Sequence, residues 1–158
     1  MAQGARAELI RFLQRQRYGV VASLAADGAP QSAVVGIATG ETGEIVFDTL
    51  GTSRKAKNLR RDPRLSLVVW EGERTVQIGG LADEPTGAER DRLREIYFAA
   101  FPDGRDRLDW PDLTHFRIVP GWARSSDFAA AGGEPVIFEV DLRVAGFEPL
   151  ADRDPRAP

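Results

Sequence analysis

Residues 47–64 read FDTLGTSRKAKNLRRDPR. An apolar strand ends in a turn of small and hydroxyl residues, and a basic helix begins at Ser53. Ser53 is a favoured N-cap residue, and the first backbone N–H groups of a helix have no partner within the helix. Arg54 and Lys55 add full positive charge beside those groups. The stretch therefore predicts an anion site at the helix start, and the implied anion is a phosphate.

The composition limits the classes of function that are open to the chain. Its 158 residues, 42% of them hydrophobic, suffice for one domain with a hydrophobic core. The absence of cysteine and the single histidine, His115, exclude disulfides, a cysteine nucleophile and a multi-histidine metal site, so we expect no metal. A net charge of −3 argues against general nucleic-acid binding. With a charged N-terminal region and no apolar run near the roughly 20 residues of a membrane span, we expect a cytoplasmic protein without nucleic-acid or membrane partners.

Hydrophobic periodicity predicts short strands joined by tight turns, together with a few helices. Strands are predicted over residues 18–25, 31–39, 44–49, 64–70, 74–81, 115–120 and 136–142. Helices are predicted over residues 5–17, over 53–61 and between Pro85 and Pro102, with a loop over 101–110. The pair Gly79-Gly80 favours a bulge or a close backbone approach. The pattern indicates an antiparallel barrel or sandwich over residues 1–147, followed by a disordered tail over 148–158.

The order of these features resembles the pyridoxamine 5′-phosphate oxidase-like, FMN-binding split-barrel family. The resemblance rests on the SRKAKNL run at 53–59, the Asp-Pro-Arg at 62–64 and the segment FRIVPGWARSSDF at 116–128, and it extends from about residue 6 to about residue 142. It implies a mainly β fold, a six-stranded antiparallel split barrel. It also implies a homodimer with two FMN sites in the subunit interface.

The resemblance assigns particular residues to the cofactor. Ser53, Arg54 and Lys55 match the phosphate-binding positions, and Asp48 and Thr49 match the strand end that meets the cofactor. Ala33, Val34 and Val35 match the segment that lies along the isoalloxazine ring, and Thr75 or Gln77 matches a polar side chain that faces the flavin. Trp122 and Arg124 match the residues that reach the cofactor from the partner subunit. Thr75 and Gln77 are expected on one face because side chains alternate along a strand. Their structural alternative is to satisfy each other or the backbone in the barrel interior.

The function implied by the resemblance is that of an FMN-dependent oxidoreductase, with hydride transfer between flavin N5 and an unidentified small molecule. No side-chain acid or base is assigned. The second strand, residues 32–36, reads SAVVG and lacks the arginine and lysine of the true oxidase, which disfavours pyridoxamine phosphate as the substrate. Two alternatives stay open: the deazaflavin F420 in the same fold, and a non-catalytic flavin- or haem-binding carrier or sensor.

Several of these side chains also have a purely structural interpretation. Basic residues on a helix, such as Arg54 and Lys55, commonly form a solvated face. Trp122 is equally well suited to a core or a dimer interface. Arg124 could equally pair with Asp127 or with another carboxylate across a dimer interface.

Overall fold

The computed structural model describes residues 2–130 and 132–143. Its elements, in chain order, are α1 (Ala2–Arg15), β1 (Tyr18–Leu24), β2 (Pro30–Gly36), β3 (Ala38–Thr39), β4 (Ile45–Leu50), α2 (Arg54–Arg61), β5 (Arg64–Glu71), β6 (Arg74–Asp83), α3 (Gly87–Ala100), a 3₁₀-helix (Pro102–Arg107), β7 (Leu113–Asp127) and β8 (Val136–Asp141). The predicted tail, residues 148–158, lies outside the described residues. Over the described ranges no helix is long and apolar enough to cross a membrane.

The strands form one antiparallel sheet that curls into a barrel. Its order is β2-β1-β5-β6-β7-β4-β3, and β8 pairs with β7. The chain leaves one sheet edge at Gly36 and joins the opposite edge at Ala38, so that Ile37 alone links the two edges. Strands β2 and β3 thus form one wall, and six strands surround the core. The prediction of a mainly β, six-stranded split barrel is confirmed.

The single strand predicted over residues 31–39 is interrupted because its pairing partner changes. Before the interruption β2 pairs with β1, and after it β3 pairs with β4. At the change, the Ile37 N–H donates to the Arg17 carbonyl oxygen at 2.9 Å, outside either ladder. Ile37 itself is fully buried, so the bend is held by the core as well as by this hydrogen bond.

Strand β7 is much longer than the predicted residues 115–120. Its first half pairs with β4 and its second half with β8, while β6 runs along its other side. Gly80 pairs with Pro120 and Gly79 with Trp122, which leaves Gly121 as the extra residue of a bulge. A Cβ on Gly80 would lie 2.5 Å from the Val119 carbonyl oxygen, so the backbones approach closely here. The predicted bulge or close approach at the glycine pair is confirmed.

The bulge at Gly121 changes which side chains of β7 face the core. Before it Phe116 and Ile118 face the core, while the buried His115 faces α3, and after it Ala123 and Ser125 are the buried residues. Because side chains alternate along a strand, one extra residue exchanges the two faces. Trp122 therefore points to the outside of the barrel.

The barrel core is built from the inward faces of the strands and is closed by α1. Phe47 and Phe116 stack at its centre with ring centroids 5.6 Å apart. Phe12 of α1 is fully buried in the same cluster, as its helical spacing with other apolar residues leads one to expect.

Helix α3 covers the outer side of β3 and β4 and forms a second apolar cluster. Its Leu93, Tyr97 and Phe98 pack there with Ala38 and Val46. The chain then continues into the 3₁₀-helix, where a loop was predicted. Helices α1 and α3 contact β3, β4, β7 and β8, whereas α2 contacts β1 and β6.

Candidate anion-binding site

The start of α2 has the geometry of a capped helix. Ser53 has extended backbone angles, φ −65° and ψ 156°, and its Oγ accepts the Ala56 N–H at 3.2 Å. The Ser53 N–H in turn donates to the Leu50 carbonyl oxygen at 2.9 Å and ties the helix start to the end of β4. The prediction that Ser53 is the N-cap is confirmed, and the remaining N–H groups of the first turn are available to a ligand.

Two cations flank this helix start without carboxylate partners. The half-buried Lys55 Nζ donates to Thr49 Oγ1 at 3.1 Å, and Thr49 Oγ1 lies 3.1 Å from Ser53 Oγ. Arg54 is exposed. Within residues 2–130 and 132–143 neither Arg54 nor Lys55 forms an ion pair, although most other arginines do. The positive charge at the helix start is therefore not neutralised by the protein.

Beside the helix start lies a cavity of about 380 Å³. Its lining comes from β1, β2 and α2 and consists of Val21, Ser23, Gln31, Ser32, Ala33, Arg54, Lys55 and Asn58. The lining combines two cations with amide, hydroxyl and apolar side chains, and none of these described lining residues is a carboxylate. Such a cavity suits an anionic group attached to a less polar one.

The floor of the cavity is a buried amide network that the sequence did not predict. Asn58 Nδ2 donates to Ser23 Oγ at 3.1 Å and to Gln31 Oε1 at 2.9 Å, and Asn58 Oδ1 accepts from Arg61 at 3.1 Å. The available signal was the position of Asn58 between Ala56 and Leu59 on the buried side of α2, because a buried amide requires partners. Its partners lie 27 and 35 residues away in the sequence, on β2 and β1.

The predicted ring-contacting segment presents its side chains to both sides of β2. Ala33 and Val35 point inward, and Ala33 lines the cavity. Val34 points outward and is 66% exposed. The alternation of a strand thus divides the segment, and only its backbone is shared by the two faces.

Four further predicted residues lie on the outer face of the barrel, away from the cavity. Thr75 and Gln77 alternate with the buried Val76 and Ile78, so their predicted common face is confirmed and it is not the barrel interior. Gln77 pairs with Arg124 in the β6–β7 register, and Trp122 lies on the same face. Arg124 Nη1 lies 3.9 Å from Glu139 Oε1, and Glu139 therefore takes the place suggested for Asp127.

Comparison with known proteins identifies the family. A model of the pyridoxamine 5′-phosphate oxidase family matches residues 5–126. The chain belongs to this family. Among curated proteins, none matches the sequence.

Solved structures share the fold of the family. A heme-binding protein from Mycobacterium smegmatis is 22% identical with a TM-score of 0.71, and the match covers 89% of this chain and 57% of that protein. A conserved hypothetical protein from Mycobacterium tuberculosis is 28% identical with a TM-score of 0.67, and the match covers 78% of this chain and 84% of that protein. A putative pyridoxamine 5′-phosphate oxidase from Listeria innocua is 19% identical with a TM-score of 0.63, and the match covers 77% of this chain and 97% of that protein. The chain thus spans little more than half of the first of these proteins.

The two residues carried over from the family at the end of β4 have different surroundings. Thr49 faces the helix start, whereas Asp48 faces α3. Asp48 Oδ1 accepts from the Tyr97 hydroxyl at 2.8 Å, and Oδ2 accepts from Arg107 at 3.3 Å. Burial, and then the hydrogen bond to Asp48, raise the pKa of Tyr97 well above its ordinary value, so the phenol remains protonated. Asp48 is engaged in holding α3 and the 3₁₀-helix to the barrel.

The single histidine lies in the same packing layer and not in the cavity. His115 is 3% exposed, with Tyr97 and Phe98 packed edge-on against its ring. Its Nδ1 accepts from Arg94 Nε at 3.4 Å, and its Nε2 is buried without a partner among the described residues. Burial, reinforced by the positive charge of Arg94, lowers the pKa of His115 to about 4. His115 is therefore a neutral, buried imidazole, as is typical of a core residue.

Proposed function

We propose that this chain is an FMN-binding oxidoreductase that acts as a homodimer. The observation that carries the proposal is the helix start itself, where Lys55 is half-buried beside the capping Ser53 and a cavity without carboxylates. A half-buried cation that has no counter-charge in the protein can pair with the anion of a ligand. Membership of the family supports the choice of a flavin phosphate as that anion.

The residues that fit FMN divide between its two ends. Ser53, Arg54 and Lys55 would hold the phosphate, with Thr49 positioning Lys55 through its hydroxyl. Ala33, in the lining of the cavity, supplies an apolar surface for the part of the cofactor that follows. Bound FMN would supply hydride transfer with a small molecule that remains to be identified.

The separation of the predicted site residues supports a homodimer. In one chain, Gln77, Trp122 and Arg124 lie on the outer face, while the cavity opens beside the inward-facing Ala33. The same outer face exposes large apolar side chains, among them Val34 and Trp70. Apolar surface of this kind is normally covered by a partner. A second copy packed on this face covers it and brings its own Trp122 and Arg124 to the cofactor.

The dimer can be tested with two matched tryptophan substitutions. Trp70→Glu places a charge on the outer face of β5, whereas Trp110→Glu places it on the loop after the 3₁₀-helix; the two side chains are 49% and 54% exposed. We expect the wild type and Trp110→Glu to sediment at twice the 17.3 kDa chain mass, and Trp70→Glu to shift toward the monomer and lose FMN affinity. A wild-type monomer that binds FMN fully would contradict the shared site.

Haem is the second candidate ligand, because a solved protein of the same fold is a heme-binding protein. Haem iron is held by histidine, cysteine, methionine or tyrosine side chains. This chain has no cysteine, one methionine at position 1 and a buried His115. Of its two tyrosines, Tyr97 is buried and Tyr18 is exposed. Among the described residues, Tyr18 is thus the exposed side chain of these types, and the phosphate-type helix start favours FMN.

The proposal is tested by the spectrum and mass of the molecule that co-purifies, followed by titration with FMN and with F420. We expect a flavin spectrum, tighter binding of FMN than of F420, and reduction of the bound flavin by NADH, NADPH or a reduced deazaflavin. A colourless protein that takes up no FMN contradicts the proposal, as does a haem spectrum. Clear preference for F420 would contradict FMN as the cofactor. A bound flavin that no donor reduces would contradict the proposed oxidoreductase activity.

A further inference from the structure

The orientation of one buried amide is fixed by a neighbour that can only donate hydrogen bonds. Arg61 Nη2 lies 3.1 Å from the Asn58 side-chain amide. A guanidinium has no acceptor, so the atom of Asn58 that faces it must be the carbonyl oxygen. Asn58 therefore turns its Nδ2 group in the other direction, toward β1 and β2.

The orientation of Asn58 fixes that of a second amide. Asn58 Nδ2 donates to Gln31 at 2.9 Å, and a donor in this place requires the oxygen of Gln31 to face it. The other end of the Gln31 amide, Nε2, is then the free end. Across residues 2–130 and 132–143, Gln31 Nε2 has no hydrogen-bond partner. This nitrogen is also not buried, so it is accessible from the cavity. Because Gln31 lines the cavity together with Arg54 and Lys55, its free donors are available to a ligand there.

We propose that Gln31 is a further phosphate-contacting residue, and that Arg61 and Asn58 are positioning residues that turn its N–H groups toward the anion. The inference rests on the proposed binding of FMN at this cavity. A free glutamine amide presents either an acceptor, which repels a phosphate, or a donor, which binds it. The chain Arg61–Asn58–Gln31 removes this ambiguity, since each member forces the next into one orientation. The cavity then meets the anion with donors from both α2 and β2.

The test compares affinities for FMN and for riboflavin, which lacks the phosphate. Gln31→Met keeps the length of the side chain and removes the donors. We expect it to reduce the preference for FMN over riboflavin by about tenfold or more, as the loss of a hydrogen bond to a charged group predicts, with riboflavin affinity unchanged. Gln14→Met makes the same exchange at an exposed position of α1 outside the cavity, so its preference should stay within about twofold of the wild type.

The positioning role is tested by combining two substitutions. Asn58→Leu releases Gln31 and should lower the FMN preference, while the double variant Asn58→Leu/Gln31→Met should lose no more than Gln31→Met alone. Additive losses overturn the positioning role, because they mean that Asn58 does not act through Gln31. If Asn58→Leu does not fold, as thermal unfolding reports, Arg61→Met takes its place, because it removes the donor that orients Asn58. It should lower the FMN preference of the wild type and cause no further loss in Gln31→Met.

The outcomes separate this inference from the proposed function. A wild-type protein that prefers FMN over riboflavin, together with a Gln31→Met variant that keeps the full preference, overturns the inference and leaves the proposed function standing. A wild-type protein that binds FMN no more tightly than riboflavin overturns both. Loss of the preference in Gln31→Met, with the fold and riboflavin binding retained, supports the inference.

Discussion

Replacing Arg54 and Lys55 together with alanine is expected to weaken FMN binding by about 2–5 kcal/mol, because two charge-assisted contacts to the phosphate are lost. Ser53 still caps the helix in this variant, since its Oγ bonds the backbone N–H of Ala56 and neither deleted side chain. The fold should therefore persist, and the loss should appear in the dissociation constant measured by quenching of flavin fluorescence.

The control for this substitution is the third basic residue of the same helix. Lys57 is exposed, forms no ion pair in the described part of the chain and does not line the cavity. Lys57→Ala removes a cation from the same helix as Arg54 and Lys55. Its expected effect on FMN affinity is below about 1 kcal/mol, because an exposed charge is screened by solvent. A double variant that binds FMN as the wild type does, with its circular dichroism unchanged, would show that the phosphate lies elsewhere.

Acidification from pH 6.5 to pH 4 is expected to lower the free energy of unfolding by up to about 3 kcal/mol through His115 alone. The pKa of His115 is lowered from 6.5 to about 4 in the folded state, because burial disfavours the charged imidazolium. Between these two values the unfolded chain binds a proton that the folded chain excludes. The stabilising contribution of the neutral imidazole is therefore complete above pH 6.5 and is lost as the pH falls toward 4.

The substitution His115→Gln isolates this contribution from that of the carboxylates. The glutamine side chain cannot titrate, and it retains an acceptor for Arg94. The hydrogen-bonded, arginine-paired Glu8 and Glu84 have lowered pKa values, so their contributions are lost as the pH falls below the ordinary glutamate range, in both proteins alike. In urea unfolding, the wild type should lose stability relative to His115→Gln between pH 6.5 and 4. Parallel curves for the two proteins, or an NMR titration of His115 near pH 6.5, would contradict the enclosed, neutral histidine.

The helix start was predictable from the sequence because its determinants are local. An N-cap hydroxyl, two adjacent cations and a preceding strand lie within a few residues of one another, and they need no distant partner to define the structure. The same is true of the Gly79-Gly80 pair, where the absence of side chains permits the close approach of β6 and β7.

The length of β7 was not predictable in the same way. Pro120 and Gly121 read as the end of a strand, since proline cannot donate to a ladder and glycine weakens one. The bulge absorbs both residues and lets the strand continue to Asp127. It also reverses the alternation, and the outward direction of Trp122 follows from this reversal and not from the preceding pattern.

The family resemblance matched adjacent residues of one strand to the same cofactor contact, and for such pairs the match did not show which side chain faces the site. Asp48 and Thr49 were both matched to the cofactor, yet adjacent residues of a strand face opposite sides. Only Thr49 contacts Lys55, while Asp48 binds Tyr97. Conversely, Asn58 and Gln31 were not singled out, because their contact joins two elements 27 residues apart and exists only in the tertiary structure.

The most direct test of FMN binding at the start of α2 is a crystal structure of the protein grown with FMN. We expect the phosphate at the start of α2, within hydrogen-bond distance of Ser53 Oγ, Lys55 Nζ and Gln31 Nε2, and a second copy of the chain whose Trp122 or Arg124 reaches the cofactor. A phosphate bound away from the cavity at Ser53, or a flavin held by one chain alone, would contradict it.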